Sequence, residues 1–224
     1  MLYFWKMASL VIVESPAKAK TIGRFLGKDF RLSASFGHIR DLPAHQFGVD
    51  IKDNFEPTYA VSPDKKKIAH QLILAAKNSK EIYLATDEDR EGEAIAWHIA
   101  ILLKRPLEEV KRVVFHEITK NAIQEAFNHP RKINLSLVKA QQARRILDRV
   151  VGYQLSPFLS EKMRRRGLSA GRVQSISLRM IVEREKEIET FKSQEYWTVK
   201  ADLEKEDSSF SAILFSVKGK KIPK

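Results

Sequence analysis

Apolar positions in the first half of the chain switch between two periods. Residues 9–13 (SLVIV) form a short β-branched run, the pattern of a strand buried on both faces. Pro16 suits a first helical turn, and residues 18–26 carry a helix that stops at Gly27. A second strand is predicted over 30–36. Residues 38–63 hold Pro43, Pro57 and Pro63 and read as an irregular insertion. Ile68, Leu72, Ala75 and Ala76 draw a helical stripe through 64–78. A third strand follows at 81–85 (EIYLA), a helix at 91–104, a fourth strand at 112–115 and a helix at 119–128. Strands alternating with helices predict an α/β fold, a parallel sheet flanked by helices.

Beyond Pro130 the character changes. Two arginine-rich helical patterns, 135–153 and 171–188, have no strand signal between them, and 197–203 and 210–217 then alternate like strands. The expected organisation is an α/β domain over 9–130, a mainly α-helical part over 131–192, and the start of a further β-containing domain, truncated, over 193–224. Residues 1–8 are set apart as a tag or extended N-terminus. Their aromatic opening, MLYFWK, lacks the basic leader and apolar core of a secretory signal.

Charge narrows the class of partner. The 224 residues are 43% hydrophobic, enough for one large core or two small ones. Lys and Arg number 40 against 28 Asp and Glu, a net +12, which favours a polyanion whose counterions the basic side chains displace. Nucleic acid is the expected partner, with plain solubility or an anionic membrane surface as the alternatives. The absence of cysteine excludes disulfides and Cys-ligated zinc and makes a cytosolic protein the simplest reading. No apolar run approaches the ~20 residues that span a bilayer.

In parallel sheets, ligand sites collect beyond the C-terminal strand ends. Glu14 ends the first strand here, and Thr86-Asp87 ends the third. Asp87, Asp89 and Glu91 occupy alternate positions in TDEDREGE, so an extended or turning backbone projects them to one side. A continuous helix would send Asp89 away from the others, so Asp87 at least must precede the helix. Converging carboxylates repel unless a hard cation neutralises them, and oxygen ligands suit Mg²⁺. Gly92 permits close backbone approach. The plain alternative is a capped helix with acids in its first turn; the alternate spacing at a strand end, in a basic chain, favours the metal.

Glu14 and Lys18 lie one helical turn apart in VESPAKAK. A helix-dipole contact for Glu14 and a solvated position for Lys18 are their plain alternatives. Gly23 and Gly27-Lys28 do not make a phosphate loop, because the spacing is one residue short and Asp29 replaces the metal-binding Ser or Thr. Further on, QQARRILDRVVGYQLSP (141–157) and LSAGRVQS (168–175) flank a basic stretch. It holds Lys162, Arg164, Arg165, Arg166 and Arg172 against one acid, Glu161. Guanidinium forks suit phosphate; a solvated face and a local Arg144–Asp148 pair are the alternatives.

PAKAKTI after the first strand, SFGHIRDLP (35–43), ATDEDREGEAIAWH (85–98) and the two helical motifs together resemble the bacterial type IA topoisomerase family. The first three resemble its Toprim domain. The resemblance implies a catalytic set of Glu14, Lys18, Asp87, Asp89 and Glu91. Glu14 would transfer a proton at the leaving 3′-oxygen, and Lys18 would stabilise charge on the phosphate. Mg²⁺ would be held by Glu14, Asp87, Asp89 and Glu91. DNA, single-stranded or underwound, would be contacted by Arg90, Arg144, Asp148, Arg172, Gln174 and His38, mostly through its backbone; for His38 a structural loop role stands beside this. The implied activity is ATP-independent relaxation of negatively supercoiled DNA through a 5′-phosphotyrosyl link, by a monomer at the bacterial nucleoid in the cytoplasm.

One departure matters. The family's nucleophile lies in a Tyr-x-Arg-Thr-Asp-Ser type motif, and Tyr3, Tyr59, Tyr83, Tyr153 and Tyr196 all lack that context. The 224 residues are therefore expected to be an N-terminal portion that binds Mg²⁺ and single strands weakly and cannot cut DNA. A Toprim nuclease or primase is the other enzymatic reading, against which the helical motifs argue. A non-catalytic DNA-binding module is the third.

Overall fold

The structure, a computed structural model, describes residues 8–206 and 208–221. The aromatic opening therefore lies outside the described residues. The chain divides into two compact units after Ser175. In the first, the elements run β1 Ser9–Val13, α1 Pro16–Leu26, β2 Phe30–Ala34, β3 Arg40–Asp41, β4 Val49–Asp50, β5 Glu56–Pro57 and β6 Ala60–Val61. They continue as α2 Lys66–Lys77, β7 Ile82–Leu84, α3 Arg90–Leu102, β8 Val110–Arg112, α4 Lys120–Asn128 and α5 Leu135–Lys162. The helix α6 Arg172–Thr190 follows.

Four strands form the central sheet in the order β2-β1-β7-β8, all parallel. Alternation along each strand divides the core in two. Leu10, Ile12, Ile82, Leu84 and Val110 pack with α2 and α3 on one face, while Val11, Val13, Tyr83 and Val113 pack with Ile22 of α1 and Ile123 of α4 on the other. This is the α/β, helix-flanked parallel sheet that the strand–helix alternation predicts.

The helix starts are set by side-chain caps. Ser15, Thr119 and Asn134 each accept a backbone N–H from the first turn of α1, α4 and α5. Pro16 occupies the first turn of α1, where its missing N–H costs nothing. The segment 38–63 is less irregular than its prolines suggest, because β3 pairs with β6 and β4 with β5, both antiparallel.

Several expected boundaries moved: the second strand stops at Ala34 rather than 36, and the strands expected over 197–203 and 210–217 run Lys200–Lys205 and Ser208–Ile213. The fourth strand is Val110–Arg112 rather than 112–115, although Val113 N still bonds Leu84 O at 2.9 Å. The helix expected to end at Tyr153 runs on to Lys162 through Pro157. A proline removes one rung of a helix. The helix nevertheless continues, and the later turn packs against it, Ser156 accepting Ala170 N at 3.0 Å. The second unit holds most of α6, then the antiparallel pair β9 Lys200–Lys205 and β10 Ser208–Ile213, and the two-residue strands β11 Ser216–Val217 and β12 Lys220–Lys221. No helix among the described residues is long and apolar enough to cross a membrane.

Candidate active site and nucleic-acid groove

Parallel pairing of β1 with β7 sets Ile12 beside Leu84, so the chain leaves both strands at the same sheet edge. Glu14 follows β1 and the turn 86–89 follows β7. They meet there: Asp87 N donates to Glu14 Oε1 at 2.7 Å. Lys18, in the first turn of α1, pairs its ammonium with the Asp87 carboxylate. Asp89 is the N-cap of α3, its Oδ1 accepting Gly92 N at 2.7 Å. Glu91, in the first turn, meets His38 Nε2 at 2.8 Å. Asp87 thus precedes the helix, as convergence of the acids requires.

The four acids share one corner but are not gathered around a point. Among the described residues, no three carboxylate or imidazole groups stand close enough to hold a metal ion. Asp87 is engaged with Lys18, Asp89 with the helix start and Glu91 with His38. As a donor set they still fit a hard divalent cation: every candidate ligand is a carboxylate oxygen, and Asp87, Asp89 and Glu91 all remain exposed.

The turn itself is rigidly built. A Cβ on Gly92 would sit 2.2 Å from Asp87 O, so only glycine lets α3 start this close to the turn. Thr86 Oγ1 donates to Gly92 O at 2.7 Å. Beneath lies Arg112, fully buried on the same sheet face as Val110. Its guanidinium donates to Leu84 O, Thr86 O, Val113 O and Asp87 O, and its Nε to Glu93 Oε1 at 3.1 Å. Glu93 is also fully buried. Burial pushes the Arg112 guanidinium below its ordinary pKa, and the charge of Glu93 opposes that. The sequence reading singled out neither residue. The available signal was a charged residue directly beside each of two apolar segments, an arginine before VVF and a glutamate before AIAW.

The segment 38–46 joins this corner to α5. His38 holds Glu91, and two residues later Asp41 receives a forked ion pair from Arg145, with Nε at 2.9 Å. Burial raises the Asp41 pKa, but the hydrogen bonds and charge of Arg145 outweigh that and hold it below the usual carboxylate range. Arg149 donates to Pro43 O, Gln46 O and Leu42 O, and Tyr153 OH to Ala44 O at 3.0 Å. Behind His38, the buried His98 packs edge-on to Tyr59 and Trp97. Burial, then the neighbouring Arg40 and His38 charges, push its pKa down to about 3. Burial and Asp41 raise the Tyr59 hydroxyl to about 12.

Along α5 runs a groove of about 520 Å³, lined by Arg145, Asp148, Arg149, Tyr153, Arg172 and Gln174, among others. Three of the expected DNA-contacting residues therefore share one wall. Asp148 does not pair with Arg144, the neighbour four positions back; it takes both Nε and Nη2 of Arg172, at 2.9 and 3.2 Å. Helical spacing allowed the Arg144 pair, but the return of the chain at 168–172 brings a better-placed fork. Arg144 is half-buried outside the groove lining, and neither it nor the exposed Arg90 makes an ion pair among the described residues. Gln174 is exposed, its amide oxygen folded over Gly171. Arg145, Arg149 and Tyr153 were not singled out from the sequence, although they fall at i, i+4 and i+8 in the motif 141–157.

Comparison with known proteins bears on both regions. The family model described as the Toprim domain matches residues 9–118, and the one described as DNA topoisomerase matches residues 132–223. Among solved structures, the chain is similar to full-length topoisomerase I from Thermotoga maritima in a monoclinic crystal form. The two are 44% identical with a TM-score of 0.73, over 96% of this chain and 36% of that one. The chain thus spans about a third of the length of that relative.

Proposed function

Since the chain belongs to the bacterial type IA DNA topoisomerase family, we propose that it forms the metal-binding and strand-gripping part of an enzyme that relaxes negatively supercoiled DNA without ATP. The reaction is single-strand cleavage, passage and religation through a 5′-phosphotyrosyl link. The tyrosine comes from outside these 224 residues, so the chain alone binds DNA without forming a covalent adduct. The protein works as a soluble, DNA-associated monomer in the cytoplasm.

The observation that carries this reading is the meeting of Glu14 and Asp87 at the ends of two adjacent parallel strands. Glu14, Asp87, Asp89 and Glu91 are the residues that would hold Mg²⁺. When bound, the ion supplies charge neutralisation that keeps phosphate and DNA ends in register. Lys18 lies against Asp87 and would stabilise charge on the scissile phosphate. Glu14 moves the proton at the leaving 3′-oxygen. His38 orients Glu91 and, with Arg90, contacts the strand. Arg144, Arg172, Gln174 and the Asp148 that aims Arg172 grip single-stranded DNA through its phosphates.

The segment 38–46 touches both the acidic corner and α5, which supports one continuous path for the strand. The test is Asp87→Ala with Asp89→Ala in the full-length protein. Loss of Mg²⁺-dependent relaxation is expected, and undiminished relaxation overturns the assignment.

A further inference from the structure

Two arginines and a glutamate outside the acidic corner are more heavily engaged than stability alone requires. Arg112 makes five hydrogen bonds, three of them to the carbonyls of Leu84, Thr86 and Asp87, which lead into and form the acidic turn. Arg131 runs antiparallel beside it, exchanging backbone bonds with Arg112 at 2.9 and 2.8 Å. The Arg131 guanidinium reaches Glu88 of the same turn at 3.0 Å and Glu93 at 2.8 Å. The other Glu93 oxygen accepts Asn134 N at 3.2 Å, and the Asn134 side chain caps the first turn of α5 through Ser136 N and Leu137 N. One connected set of charge-assisted bonds therefore runs from the acidic turn to the start of the helix that carries the groove residues.

A fully buried ion pair is a poor way to gain stability, since well-packed apolar side chains of the same volume do as well or better. A buried arginine with most of its donors on the backbone of one turn fixes that turn's geometry instead. Residues that hold metal-bearing loops in place commonly set affinity without touching the ion.

We infer that Arg112 and Arg131, joined through Glu93, are positioning residues that hold the turn 86–89 in cation-binding register and tie it to the first turn of α5. The inference rests on the metal reading given above for the acidic corner. Loosening either arginine relaxes the turn and the helix start together.

The experiment uses the whole chain as wild type, Arg112→Lys and Arg131→Ala. Arg112→Lys keeps a charge opposite Glu93 but cannot reach the separate carbonyls, and Arg131 is partly exposed, so Arg131→Ala folds even if Arg112→Lys does not. Mg²⁺ titration by calorimetry, below the melting temperature of each variant, is expected to show affinity weakened about tenfold. Amide hydrogen exchange is expected to rise at 86–89 and at 134–138 in the same variant. A role in stability alone lowers the melting temperature and leaves Mg²⁺ affinity unchanged; that result, or exchange that rises in only one of the two segments, overturns the relay. A wild type that binds no Mg²⁺ overturns the metal reading, and the exchange pattern then decides the relay by itself.

Discussion

Gly92→Ala sets two local effects of opposite sign against each other. Gly92 lies in the first turn of α3, where alanine is the better helix former by about 1 kcal/mol. Against this, the added Cβ would stand 2.2 Å from Asp87 O and 2.8 Å from Asp87 N and C, all backbone atoms. Carbon contacts need roughly 3.5 Å, so the Asp87 peptide must move by about 1 Å. Both peptide groups of Asp87 are bonded: its N–H donates to Glu14 at 2.7 Å and its carbonyl oxygen accepts from Arg112 at 2.6 Å. Weakening two charge-assisted bonds and overpacking the turn cost about 3–5 kcal/mol together. The net destabilisation is then about 2–4 kcal/mol, and the melting temperature falls by roughly 5–15 °C. Urea unfolding followed by circular dichroism, with a thermal melt, measures both. A Gly92→Ala chain as stable as wild type, or more stable, would refute the close approach on which the geometry of the acidic turn depends.

Other consequences follow from single contacts. His98 has a folded pKa of about 3 against an ordinary 6.5. Between those values the unfolded chain binds the extra proton, so stability is full above pH 6.5 and falls as pH drops toward 3, by up to a few kcal/mol. His98→Leu should flatten that slope in denaturation at pH 4 to 7, and an unchanged slope would assign it to other groups. Arg172→Ala should weaken binding of a single-stranded oligonucleotide about threefold to tenfold and reduce its salt slope by about 0.7, one phosphate fewer; equal salt slopes would place Arg172 off the strand. Arg149→Ala should free the loop it holds at Leu42, Pro43 and Gln46. Limited proteolysis should then cut at 43–48 several-fold faster, and wild-type resistance would show the loop is held by something else.

Much of the fold was legible because the two central strands, β1 and β7, are buried on both faces. SLVIV and EIYLA have no polar alternation to confuse them, and Pro16 and Gly27 bracket the first helix cleanly. The fourth strand was displaced because Lys111 and Arg112 separate Val110 from the apolar residues that follow; a buried arginine looks like a surface residue until its partner Glu93 is known. The length of α5 was hidden by Pro157, since nothing local shows that a later turn will pack against the helix. The short pairs β3–β6 and β4–β5 hold only two residues per strand, below any readable period.

The candidate site followed a similar pattern. Strand-end topology correctly put Glu14 beside the turn after β7. The groove was only partly visible, because a fork such as Arg172 on Asp148 joins residues 24 apart in sequence and depends on how the chain returns. Arg145 and Arg149 read as further members of an arginine-rich helix; their role emerges only from the loop 41–46 that they grip.

In the proposed function, carboxylates from two adjacent strand ends hold one divalent cation. Calorimetric titration of the chain with Mg²⁺, for wild type and Glu14→Gln side by side, tests it most directly. A saturable site in the wild type, weakened at least tenfold in Glu14→Gln, is the expected result. Equal binding by the two proteins, or none by the wild type, would contradict it.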